Sequence, residues 1–149
     1  MTEGNDSEIL FCVVTLKRFI DLVNAVSATQ YGSVPELFGQ LEHRGGQWPM
    51  IPGADALEDG AIFQHLAPLH TAKSRMLVVS EVSYKKGSGA FEMEAHRVPQ
   101  FVASHRGLFR ETLFNGDVLF FDPDDAVLVV FHHEGAYARF SLRDLPVSS

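Results

Sequence analysis

Cysteine is almost missing from this chain: Cys12 is the only one in 149 residues. That excludes a disulfide framework and any cysteine-based zinc site, and it fits a reduced, cytosolic setting. Its place in an apolar run would raise the thiol pKa and keep it inert. Long apolar runs are missing too. Ile9 to Leu16 gives eight mostly apolar residues, against the roughly 20 that a membrane span requires. The opening MTEGNDS is polar and acidic, the opposite of a signal peptide's basic start. Basic residues are few, 12 Lys and Arg against 19 Asp and Glu, for a formal charge of −7. Nucleic-acid binding, which normally needs a Lys/Arg stripe, is therefore not expected, and neither is membrane attachment.

Complete catalytic signatures are absent as well. Lys86-Gly87-Ser88-Gly89 lacks the GxxxxGK spacing of a phosphate loop, no helical HExxH occurs, and there is no GxSxG elbow. No cofactor is expected. What remains is ordinary globular composition, 46% hydrophobic with 12 Phe and 21% charged. It suits a single domain over 1–149 with a sizeable core.

The most informative stretch is Asn115 to Leu142, NGDVLFFDPDDAVLVVFHHEGAYARFSL. It predicts a three-stranded meander of Asp117–Phe121, Ala126–His132 and Ala136–Leu142. Val127 to Phe131 is unbroken apolar and β-branched, as in a strand buried on both faces. Tyr137, Arg139 and Ser141 alternate with Ala138, Phe140 and Leu142, as in a half-exposed strand whose edge would suit homodimer pairing. Asp122-Pro123-Asp124-Asp125 fits a type I turn, and Gly135 supplies the positive φ of a short hairpin loop.

Upstream, Ile9 to Val14 predicts a strand and Thr15 the cap of a helix through Val26, with one continuous helix from Ser7 as the alternative. Ser33, Pro35 and Glu36 open a second helix with Leu37, Phe38 and Leu41 on its apolar face. His43 to Pro52 is a loop, where Trp48 beside Gly45-Gly46 either floors a pocket or plugs the core edge. Asp55 and Glu58 open a third helix through His65. Gln40 to Ser74, with His65 and His70 about Pro68, is otherwise irregular. Arg75 to Tyr84 predicts a strand with Met76, Val78, Val82 and Tyr84 on one face. Lys85 to Gly89 makes a hairpin tip, and Ala90 to His96 returns with Phe91, Met93 and Ala95 inward and Glu92 and Glu94 outward. Pro99 starts a helix marked by Phe101, Val102, His105, Leu108 and Phe109, and Asn115-Gly116 ends it or turns the chain. The tail, Asp144 to Ser149, is expected to be poorly ordered. The fold class is therefore α+β: a mostly antiparallel sheet of five or six strands, helices packed on one face, and the meander at its C-terminal end.

His132-His133-Glu134 invites a metal, but two adjacent residues of a strand point to opposite faces. No metal is therefore expected there. Asp117 and His133-Glu134 belong to the same end of the sheet, and Asp122, Asp124 and Asp125 to the other, roughly 17 Å away over five strand residues. Asp117, His133 and Glu134, with His105 or His96, make a candidate acid–base cluster. A hydrogen-bonded turn beside a solvated histidine is the commoner outcome.

The run DVLFFDPDDAVLVVFHHEGAYARF resembles the C-terminal strands of small acidic bacterial immunity proteins of polymorphic or contact-dependent toxin systems. The resemblance covers about the last 30 residues and brings no family site with it. It implies a cytosolic, non-enzymatic inhibitor that binds a cationic toxin domain one-to-one. The residues offered for partner contact are Asp122, Asp124, Asp125, Glu134, Tyr137 and Arg139, on a monomer or homodimer. The alternative is a small metal- or acid–base-dependent enzyme using Asp117, His133 and Glu134.

Overall fold

The computed structural model describes residues 10–44, 47–69, 73–85 and 88–144. The polar N-terminal heptad, Ile9, Gly45-Gly46, His70, Lys86-Gly87 and the tail beyond Asp144 lie outside the described residues. Six strands, β1 Cys12–Val14, β2 Arg75–Val79, β3 Ala90–Glu94, β4 Val118–Asp122, β5 Val127–Phe131 and β6 Tyr137–Ser141, form one sheet in the order β1-β3-β2-β4-β5-β6. Every pairing is antiparallel. Among the described residues, four α-helices accompany it: α1 Leu16–Ser27, α2 Val34–Arg44, α3 Asp59–Leu66 and α4 Val98–Phe109. The α+β class and the C-terminal meander are as the sequence indicates.

The helices are not confined to one face, however. Along β2, β4 and β5, alternate residues are apolar on both sides, so each face must be covered. Met76, Val78, Val118, Phe120 and Val129 pack with Ile62, Phe63 and Leu66 of α3 and with Val98, Phe101 and Val102 of α4. Leu77, Val79, Leu119, Phe121, Leu128 and Val130 pack with Phe19, Ile20 and Val23 of α1 and with Val34, Leu37 and Leu41 of α2. Burial of each such side chain contributes about 1.5–3 kcal/mol. The sheet is the middle of three layers.

Local chemistry sets the element ends. Thr15 Oγ1 accepts the Arg18 amide at 3.0 Å, which caps α1 and separates it from β1. Ser33 Oγ accepts the Glu36 amide, and Glu36 reaches back to the Gly32 amide, at 3.2 and 3.0 Å. Ala54–Ala56 forms a 3-10 turn and Leu57 and Glu58 stay extended, so α3 begins not at Asp55 but at Asp59. The buried Asp59 carboxylate accepts the amides of Leu113 and Phe114 at 2.7 and 3.2 Å, tying α3 to the turn before β4. β2 stops at Val79, not Tyr84. Ser83 Oγ accepts the Ser80 amide and the Ser83 amide donates to Ser80 O, both at 3.0 Å, across a 3-10 turn, Glu81–Tyr84, and this leaves Tyr84 48% exposed.

Both edges of the sheet differ from expectation. Cys12 is exposed on the short edge strand β1, not buried in an apolar setting. The other edge, β6, is partly covered by the chain itself. The Tyr137 amide donates to Pro49 O and the Ile51 amide to Gly135 O, at 3.0 and 2.9 Å, and Met50 bridges Ala136. Less of that edge is open for pairing with another chain than the sequence implies. Among the described residues, no helix is long and apolar enough to cross a membrane.

Candidate functional site

The site lies where α2 overhangs the end of β4 and β5. Val118 pairs with Phe131, so Asp117 and His132 fall just past the ladder at the same end of the sheet. β5 ends at Phe131, and the next residues form a tight turn. The Gly135 amide donates to His132 O and the His132 amide to Ala136 O, both at 2.7 Å, with Gly135 at φ 101°. This is the turn-plus-glycine bulge that joins many hairpins. An added Cβ at Gly135 would press on the Ala54 Cβ at 3.2 Å, a second reason for glycine there.

Because His132 and His133 lie in this turn and not in the strand, period-two alternation does not apply to them. Their rings stack at 4.2 Å with planes 28° apart. The expectation that they point to opposite faces is therefore wrong. His132 sits in an aromatic slot made by Phe38 and Trp48. The Glu134 amide donates to its Nδ1 at 3.1 Å, which places the neutral ring's proton on Nε2, 3.0 Å from the Glu42 carboxylate. Asp117 Oδ1 holds the other histidine twice, accepting the His133 amide at 2.8 Å and facing His133 Nδ1 at 2.9 Å. That hydrogen bond raises the His133 pKa above its ordinary value; burial opposes it to a lesser degree, and the negative charges of Asp117, Glu134 and Glu42 each add a smaller rise.

Two more groups border the cluster. Glu81 and Tyr84 line a recess of about 330 Å³ together with Phe38, Glu42 and Asp117. Partial desolvation of this half-exposed side chain, and then the charges of Glu81 and Asp117, push the Tyr84 hydroxyl up to about 12. A Cβ at Gly116 would collide with the Glu81 side chain, so glycine is what lets Glu81 lie this close. On the far side of Glu42, Gln47, Trp48, His132, Glu134 and Ala136 line a cleft of about 240 Å³. Trp48 packs edge-on against Phe140 as well, so it both plugs the sheet edge and walls the cleft.

Of the proposed acid–base residues, Asp117 and His133 meet directly, whereas Glu134 contributes its backbone amide and an exposed carboxylate. His105 and His96 stand elsewhere. His105 is fully buried against Phe101 and Phe109 with Nδ1 2.9 Å from Glu111 O, and His96 lies by Glu94.

The residues proposed for partner contact do not form one surface. Asp122 is only 2% exposed, and its Oδ1 accepts the amides of Asp124 and Asp125, so it cannot touch a partner. Asp124 and Asp125 are exposed at that turn, and Glu134 is exposed at the opposite end. Tyr137 packs against the core, and Arg139 donates from Nε to Leu69 O at 2.9 Å. Sequence reasoning anticipated both roles of Trp48 but missed Glu42 and Glu81. Their positions depend on how α2 and the 3-10 turn dock, which no local pattern encodes. No family model, no curated protein and no solved structure matches this chain.

Proposed function

We propose that this chain is a non-enzymatic protein-binding module, a cytosolic immunity protein that inhibits a cognate toxin by direct one-to-one binding. The observation that carries the proposal is the grouping of Glu42, Glu81, Asp117 and Glu134 around one end of the sheet, on a chain of net charge −7. Such a surface accelerates encounter with a cationic partner and disfavours acidic ones. The recesses beside Glu42, about 240 and 330 Å³, lie at or below the small end of ordinary ligand pockets, roughly 300–1,000 Å³. A broad protein contact suits that relief better than an enclosed small molecule does.

The test takes a toxin domain encoded next to this gene, where one is found, and co-expresses it with this protein. Wild type restores growth, while Glu42→Lys combined with Glu134→Lys loses protection and slows association at low salt by about tenfold or more. Asp124→Lys with Asp125→Lys, at the other end, changes neither. Unchanged protection and association in the Glu42/Glu134 variant would overturn the acidic-surface reading.

A second reading is favoured by the 2.9 Å contact of His133 Nδ1 with Asp117 Oδ1. A carboxylate that fixes and supports an imidazole is the core of many acid–base sites. In that reading His133 exchanges the proton through Nε2 and Asp117 orients it. Loss of a turnover activity in both His133→Ala and Asp117→Asn, with the fold intact, supports it. Full activity in His133→Ala refutes it.

A further inference from the structure

We propose that Asp117, His132 and His133 bind one divalent first-row transition-metal ion, of the Zn²⁺ class, with Glu42 as the carboxylate that orients His132. This goes beyond the partner-binding reading and stands or falls separately from it.

The three side chains each offer one donor atom, and these atoms lie within 4.8 Å of one another. A first shell with bonds of about 2.1 Å sets neighbouring donors roughly 3.0–3.4 Å apart, so side-chain rotations that draw the outermost pair together by about 1.5 Å complete the set. Asp117 Oδ1 and His133 Nδ1 are already 2.9 Å apart. With bonds of that length, this separation corresponds to an angle of roughly 90° at the ion, a cis pair of ligands. Two imidazoles and one carboxylate are borderline donors. They select Zn²⁺, Co²⁺, Ni²⁺ or Fe²⁺ over Mg²⁺ and Ca²⁺, which prefer all-oxygen shells. Three protein ligands on a partly exposed turn leave the remaining positions to water.

With Nε2 committed to Glu42, His132 presents Nδ1, from which the ion displaces the Glu134 amide, and its ring is otherwise pre-positioned. The His132 ring is only 15% exposed between Phe38, Trp48 and the stacked His133, with Nε2 held 3.0 Å from Glu42. A carboxylate on the outer nitrogen of a ligating histidine is the usual way its orientation is fixed. Asp117 is anchored by the His133 backbone amide, so it keeps its place when an ion replaces the hydrogen bond at His133 Nδ1 and the ring proton resides on Nε2. Glu42 itself sits in the last turn of α2, where the helix dipole disfavours negative charge. A cation beside it offsets that.

The experiment uses untagged, chelator-stripped full-length protein carrying Cys12→Ser, because the exposed thiol is a competing ligand. Calorimetric titration with ZnCl₂ at pH 7.5 is expected to show one saturable site per chain. His132→Ala and His133→Ala each weaken it at least tenfold, and Glu42→Gln weakens it by about 10- to 100-fold. Magnesium at a large excess does not compete. Since His132 is partly packed, its variant is checked by circular dichroism. A variant-free reading comes from Co²⁺ added to the parent protein, which selectively shifts and broadens the ring signals of His132 and His133. The absence of saturable binding, or a one-to-one site that survives both histidine variants, overturns the proposal.

Discussion

Asp117 and Asp122 stand at the two ends of β4, and the protein uses them in opposite ways. Asp122 is buried, with Oδ1 accepting two turn amides and Oδ2 closed off without a partner. Arg143 closes this end further through the carbonyls of Asp124 and Asp125. Asp117 is only half-buried. It also accepts a backbone amide, but the same oxygen faces an exposed imidazole. One aspartate is fully committed to making a turn. The other holds a turn and still has charge and an acceptor facing the surface. An acidic residue at a strand margin therefore becomes a candidate for function only when its backbone duties leave something over.

The largest effect that this comparison anticipates is on stability. Asp122→Ala leaves the amides of Asp124 and Asp125 without their acceptor, at a cost of about 1.5–3 kcal/mol. Asp122→Asn retains the Oδ1 acceptor and recovers most of that. Asp124→Ala and Asp125→Ala, both exposed, stay within about 0.5 kcal/mol of wild type. Urea denaturation midpoints measure all four. An Asp122→Ala variant as stable as wild type would place Asp122 back among the surface groups.

Much of this contrast was legible in outline. The Asp122-Pro123 turn, the bulge glycine at 135, the caps at Thr15 and Ser33, and the meander itself rest on chemistry within a few residues, where sequence is direct. The partition of the aspartates was not legible, because Asp122 and Asp124 look alike until burial separates them. Nor was the histidine pair. Extending β5 by one residue, through His132, was enough to assign the rings to opposite faces. Helices on both faces were foreshadowed by Val127 to Phe131: a strand buried on both sides needs two covering layers. Glu42 and Glu81 required knowledge of how distant elements dock, and adjacent sequence carries none.

A second prediction sets two histidines against each other. Burial lowers the His105 pKa below 6.5, a smaller opposing effect coming from its hydrogen bond to Glu111 O. Unfolding lets His105 take up a proton that the folded state resists. Its contribution is therefore present above pH 6.5 and is lost as pH falls from there through the lower folded value. His133 has the reverse sign. Its folded pKa is raised chiefly by the Asp117 hydrogen bond, so its contribution is complete below pH 6.5 and disappears as pH rises through the folded value. Because His133 is exposed, solvent screening keeps its effect the smaller of the two. Ring-proton NMR titration should give His105 the lower midpoint, and Asp117→Asn should bring the His133 midpoint down toward 6.5 while leaving His105 unmoved. A His105 midpoint at or above that of His133 would break the comparison.

The smallest effect tests whether the charge at the Asp117 end is sensed by a neighbour. Tyr84 is pushed up to about 12 by partial desolvation first, then by Glu81, then by Asp117. Glu81→Gln removes only the second cause, so the midpoint should fall part of the way toward 10 and no further. Gly116→Ala should act in the same direction without altering any charge, because the new methyl displaces the Glu81 side chain that Gly116 now accommodates. Asp117→Asn should move it least. The chain has three tyrosines, so the readout is the phenol carbon resonance of Tyr84 up to about pH 11, where the wild-type ring remains protonated and the Glu81→Gln ring begins to ionise. If Gly116→Ala left Tyr84 unmoved while Glu81→Gln lowered it, Glu81 would act from a position that Gly116 does not control. The carboxylates at this end would then be a loose rim and not a placed group.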